Sequence, residues 1–141
     1  MAFFSDPNDP IWETLLDAAW RASIRGYAPY SGIKEGAALL LESGRIVSGW
    51  TVENPSGPLT QCAGRVALAM AVNHGLKSGG MLALALFAER MPPPPCAACR
   101  QVLAEFGPYL PVLLASRHER ELWFLDEPAD KAFPGGDSCR P

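Results

Sequence analysis

An α/β fold, with a mixed sheet covered by helices, is the architecture this sequence predicts, and three features predict it. Apolar runs of strand length, such as "MLALALFA" at Met81 to Ala88, alternate with segments whose apolar residues recur at helical spacing. Turn residues separate them, notably Gly26, Ser43-Gly44 and Gly75. The order that results is helix, two strands, helix, strand, helix, strand, strand. A mixed sheet with helices on its faces is the economical way to bury all of these.

The first helix is expected in "DPIWETLLDAAWRASIRGY", with Ile11, Leu15, Leu16, Ala19 and Ile24 on one face and Gly26 ending it. "GAALLLESGRIVSGWTVEN" reads as two strands joined by a tight turn at Ser43-Gly44. Thr60 to His74 suits a second helix rich in Ala, Leu and Met, stopped by Gly75. "MLALALFA" is a buried strand, being continuously apolar and too short for a typical helix. Ala97 to Phe106 forms a third helix, and "PVLLAS" and "ELWFLD" supply the last strands. "PPPP" at Pro92 to Pro95 reads as a stiff lead-in to that third helix rather than a polyproline ligand. A single domain over 1–134 and a flexible tail over 135–141 complete the expected organisation.

The 141 residues are enough to bury one core without disulfide staples. Apolar residues at 48% and charged residues at 19% argue against a disordered or fibrous chain. Net charge is −3 and no Lys/Arg cluster occurs, so a nucleic-acid partner is not expected and a small molecule is. No apolar run approaches the roughly 18 residues of a membrane helix. The start "MAFFSDPNDP" has no basic leader followed by an apolar run, so a cytoplasmic location is expected. There thiols stay reduced, and clustered cysteines point to metal or catalysis.

Cys96 and Cys99 form a CxxC, which alone suits a redox pair, half a zinc site or two buried apolar side chains. Cys62 changes the balance, because all three cysteines lie at the opening of expected helices. Three thiolates and a water make a catalytic-type zinc site with one open position. Such a cluster carries one net negative charge, which helix N-termini can offset. Arg65, one turn into its helix, can donate to a cysteine sulfur, although a solvated helix arginine is the plain alternative. Cys139, in the tail, reads as a free thiol.

"YAPYSGIKEGAALL", "GRIVSGWTVEN", "LTQCAGR" and "PCAACRQVLAEFG" together resemble the small homotetrameric cytidine deaminases over most of the chain. The resemblance implies a three-layer α/β/α sandwich with a five-stranded mixed sheet, Zn²⁺ on Cys62, Cys96 and Cys99, and a pyrimidine nucleoside as substrate. In that family a glutamate two residues beyond the first ligand moves the protons and is not itself a ligand. Here Gly64 stands in its place, and "CAE" has become "CAG".

Further departures surround the expected pocket. Ile33 replaces a pocket aromatic, Glu35 occurs two residues on, and Thr51 replaces an asparagine that holds the ribose. Trp50 and Gln61 are also unusual, so natural divergence explains Gly64 better than one designed change. By resemblance, Ile33, Thr51, Glu53, Ala63 and Phe133 border the nucleoside, with Phe133 reaching a neighbouring subunit's site or packing on its own. Standard cytidine turnover is expected to be weak or lost. Glu53, Glu35 or the substrate itself could replace the missing acid, and each ranks below simple loss; strand alternation alone does not say whether Glu35 faces the pocket. A non-catalytic, zinc-containing nucleoside-binding or regulatory relative is the alternative reading.

Overall fold

The computed structural model describes residues 4–127. Strands β1 (Glu35–Leu41), β2 (Ile46–Trp50), β3 (Met81–Ala88), β4 (Pro111–Ala115) and β5 (Arg120–Phe124) form one sheet in the order β2-β1-β3-β4-β5. β1 is antiparallel to β2 and β3, β3 is parallel to β4, and β5 is antiparallel to β4. The parallel pair requires a crossover, and α3 (Ala97–Phe106) supplies it. Helix α1 (Pro10–Ile24) covers one face, while α2 (Ala63–Asn73) and α3 cover the other. This is the expected α/β/α sandwich with a five-stranded mixed sheet.

Because both faces are covered, all seven residues of β1 are buried. Ala38 and Leu40 pack with Trp12, Leu15 and Ala19 of α1, whereas Ala37, Leu39 and Leu41 pack with Ala63, Ala67 and Leu103 of α2 and α3. Strand alternation therefore assigns odd-numbered residues of β1 to the side carrying the cysteines.

α1 begins where the Asp9 carboxylate accepts the Ile11 N–H at 3.0 Å, with Pro10 opening the first turn. Its buried stripe differs from the expected one. Trp12, Leu15, Leu16, Ala19, Ala22 and Ser23 face the sheet, Ile11 lies at the margin, and Ile24 is 57% exposed. At 100° per residue, Ile11 and Ile24 fall about 100–120° to either side of Trp12, whose fully buried indole fixes the helix rotation. The helix closes on Arg25, one residue before Gly26.

α2 starts later than expected. Gln61 exchanges backbone hydrogen bonds with Val52 (2.9 and 2.8 Å), and the Thr60 hydroxyl accepts the Asn54 N–H at 3.1 Å, so both residues are spent on extended structure. Gly75, at φ +94°, follows the helix as expected.

Two glycines set how closely the layers approach. A Cβ at Gly36 would lie 1.9 Å from the Ala19 carbonyl oxygen, and one at Gly49 only 2.4 Å from the Ala67 nitrogen. α1 thus rests on bare backbone of β1, and α2 on bare backbone of β2. Pro92 to Pro95 are buried, which makes them part of the packing and not a docking motif. The boundary expected at 134, the tail with Cys139, and Phe133 lie outside the described residues.

Candidate metal centre

Cys62 and Cys96 are the residues that cap α2 and α3, and Cys99 sits in the first turn of α3. All three are at most 3% exposed, and their sulfurs lie within 4.8 Å of one another. Cys62 Sγ is 3.9 Å from Cys96 Sγ, which is 3.1 Å from Cys99 Sγ; a covalent sulfur–sulfur bond would be about 2.05 Å. Three sulfurs around one tetrahedral zinc at about 2.3 Å stand roughly 3.8 Å apart, so the Cys62–Cys96 pair already has that spacing and the Cys96–Cys99 pair must spread. Soft, buried sulfur donors also suit zinc chemically. Packing explains the convergence: Gly49 draws the start of α2 onto β2, and the proline run delivers the start of α3 from the end of β3.

The surroundings act on the thiols in both directions. Cys96 Sγ accepts the Cys99 N–H at 3.3 Å, an N-terminal helix contact of the kind that stabilises an anion. Arg65 donates to the Thr60 carbonyl at 2.7 Å, and its Nη2 stands 3.8 Å from Cys62 Sγ. Burial pushes the Cys99 thiol up to about 11, the Arg65 charge opposes that rise, and the charge of Glu35 adds to it. Binding of a divalent ion to Cys99 therefore displaces a proton.

Gly64 occupies the second position of α2 and is buried. A Cβ there would meet Leu86 Cδ2 at 3.7 Å and Leu84 Cδ2 and Leu103 Cδ1 at 3.9 Å, all ordinary van der Waals distances. No steric reason keeps a side chain out. A Gly64→Ala variant should thus gain stability, by up to about 1 kcal/mol from backbone entropy, read as a higher melting temperature without a gain in turnover.

The remaining expected residues are dispersed. Glu53, 6% exposed, accepts the Tyr30 N–H at 3.0 Å and the Ser31 N–H at 3.1 Å on one oxygen and the Ser31 hydroxyl on the other. Desolvation pushes its pKa up, but the Ser31 hydroxyl and the two N–H groups outweigh this and hold it below the usual carboxylate value. The Thr51 hydroxyl is turned to the chain itself: it accepts the Glu35 N–H at 3.1 Å and donates to the Glu35 carbonyl at 3.3 Å. Ala63 is fully buried at the start of α2, and its N–H belongs to the first turn, where no helical acceptor exists. Ile33 is 56% exposed.

The role of Ser31 and the orientation of Glu35 were not legible in the sequence. Ser31 belongs to no pattern that marks it as a site residue, yet it is the principal partner of Glu53. Glu35 is 6% exposed on the cysteine side of β1. Burial first, and the Glu53 charge second, push its pKa up to about 8.

Comparison with known proteins agrees with this geometry. The profile described as "Cytidine and deoxycytidylate deaminase zinc-binding region" matches residues 11–114. The cytidine deaminase of Halalkalibacterium halodurans is 42% identical over 97 residues, covering 68% of this chain and 72% of that protein. A probable cytidine deaminase of Dictyostelium discoideum is 41% identical over 102 residues, covering 72% and 69%. The crystal structure of cytidine deaminase from Burkholderia pseudomallei superposes with a TM-score of 0.76 at 38% identity, covering 88% of this chain and 97% of that one. With a matched region that is the family's zinc-binding region and three buried sulfurs gathered within it, the chain belongs to the cytidine and deoxycytidylate deaminase family.

Proposed function

We propose that this chain holds zinc on Cys62, Cys96 and Cys99 and hydrolyses the exocyclic amine of a cytidine-like pyrimidine nucleoside, with ordinary cytidine turnover reduced because Gly64 offers no carboxyl. The observation that carries the reading is the sulfur trio at two helix N-termini, inside a fold shared with cytidine deaminases. When bound, zinc supplies a Lewis acid for one water. The protein supplies the rest. Arg65 offsets the thiolate charge, and the Ala63 N–H, in the first turn of α2 where no helical acceptor exists, serves as a donor for the base. Glu53, held ionised by Ser31 and Tyr30, retains acceptor capacity for a sugar hydroxyl. Thr51, Ile33 and Phe133 complete the expected border.

A homotetramer in the cytoplasm belongs to this reading. An apolar groove between α2 and α3, lined by Leu68, Val72, Val102 and Phe106, supports the association. Among the described residues no helix is long and apolar enough to cross a membrane. The second reading is a non-catalytic, zinc-containing nucleoside-binding or regulatory relative. It is favoured by Gly64 and by a Thr51 hydroxyl already consumed by backbone.

Metal analysis and nucleoside titration of the purified chain test the proposal together. One zinc per chain, saturable binding of cytidine or deoxycytidine and slow loss of cytidine absorbance are expected. A folded, metal-free chain that ignores every pyrimidine nucleoside would sink both readings.

A further inference from the structure

Glu35 is a group that the proposed site leaves unexplained. It is an acid in the middle layer of the protein, on a strand whose other six residues are Gly, Ala and Leu. A buried carboxyl ordinarily recovers its desolvation cost through hydrogen bonds. Among the described residues no hydrogen bond reaches this carboxyl, and its oxygens are not wholly sealed from solvent; the bonds of Glu35 are those of its backbone. A structural role leaves that cost unexplained, whereas a role toward a ligand accounts for it.

Its position follows from sheet register. Glu35 pairs with Ala88 and Ala37 with Leu86, and Leu86 is the residue nearest to a Cβ built on Gly64. Glu35 and Ala37 share the cysteine-side face and are one pleat apart, about 7 Å. The Glu35 side chain therefore rises beside the space that Gly64 leaves open. It also stands at the end of the sheet where β3 runs out toward Cys96. Electrostatics agree with the register: the Glu35 charge acts on the Cys99 thiol, and the Glu53 charge acts on Glu35. The titratable groups whose charges couple to it are Glu53, from the segment after β2, and Cys99, from α3; Arg65 of α2 acts on the same Cys99 thiol.

The backbone of Glu35 is held unusually firmly. Thr51 grips it three times, through the hydroxyl in both directions and through its own N–H to the Glu35 carbonyl at 3.1 Å. Two of the positions at which this chain departs from the family pattern, 35 and 51, are therefore in direct contact. From this contact, the register and the unpartnered carboxyl, we infer that Glu35, clamped by Thr51, is the proton-handling group of the Cys62–Cys96–Cys99 centre in place of a residue at 64.

The inference rests on the zinc deaminase reading and specifies its acid. The cycle starts with the Glu35 carboxyl protonated, as a general acid must be. The carboxyl gives its proton to the ring nitrogen beside the amine-bearing carbon as a water oxygen bonds to that carbon, and the resulting carboxylate takes one proton from the water. The carboxyl then protonates the amino group, the carbon–nitrogen bond breaks, and ammonia leaves. The last hydroxyl proton returns to the carboxylate, so water is consumed, ammonia is released, and Glu35 ends as it began.

Glu35→Gln tests this, because it keeps size and burial while removing the transferable proton. In zinc-loaded full-length protein, kcat for cytidine should fall about 100-fold or more with KM changed less than threefold. Adding Gly64→Glu to that variant should restore turnover, since both positions open on the same space. A readout independent of turnover is the carboxyl band in the infrared difference spectrum on nucleoside addition, present in the wild type and lost in Glu35→Gln. Thr51→Val should lower kcat while zinc content and the fold are kept. Wild-type turnover in Glu35→Gln, or a zinc-loaded, nucleoside-binding wild type with no turnover, would overturn the Glu35 assignment and leave the metal site standing. A metal-free chain overturns both.

Discussion

Gly64→Glu is expected to accelerate cytidine hydrolysis by about 100-fold or more, the lower end of what a well-placed general acid–base contributes. Space permits the change, as a Cβ at 64 meets only the ends of three leucine side chains at 3.7–3.9 Å. Helix electrostatics favour it too, because the position lies in the first turn of α2, where no acid now stands and a negative charge is stabilised. The new carboxyl and Glu35 would share one small space, which raises the pKa of whichever loses its proton last. Steady-state assays on zinc-loaded protein check the result. An unchanged rate, with nucleoside still bound, would show that more than proton transfer has been lost and would favour the non-catalytic reading.

Cys62→Ala carries the second large effect. Removing one of three sulfurs abolishes the single zinc per chain and reduces hydrolysis to background. Stability should fall as well: an ion present at a thousand times its dissociation constant contributes about 4 kcal/mol, which for a chain of this size is on the order of 10–20 °C in melting temperature. The apo wild type should match the variant closely, because the lost stability belongs to the ion and not to the sulfur's packing. Elemental analysis and thermal melts with and without a chelator decide this. Cys139→Ala serves as the control and should leave the zinc content unchanged.

The layers were legible in the sequence because periodicity reports burial directly. β3 and α3 run where the sequence placed them, since an unbroken apolar run and a proline-led CxxC leave few alternatives. The rotation of α1 was less legible: Ile24 is as hydrophobic as Leu15, and only the large Trp12 indole decides which flank turns inward. The start of α2 differs from expectation because Thr60 and Gln61 are helix-compatible residues captured by partners six and nine residues back, Asn54 and Val52. At the site, spacing identified the three sulfurs. It could not reveal that Glu35 shares their side of the sheet, because a strand apolar on both faces has no alternation to orient a single acid. Nor could it show that Ser31, 22 positions away in the chain, holds Glu53.

The bare backbone contact between α2 and β2 at Gly49 has a consequence for how this protein can change over time. It anchors the helix that carries Cys62 by main-chain apposition, so the location of that sulfur owes nothing to what occupies position 64. A lineage can consequently exchange its acid, move it to another strand or forgo it without dismantling the ion's seat. A methyl group added at 49, remote from every reacting atom, would lift the helix and do more harm to the seat than the loss of the acid itself.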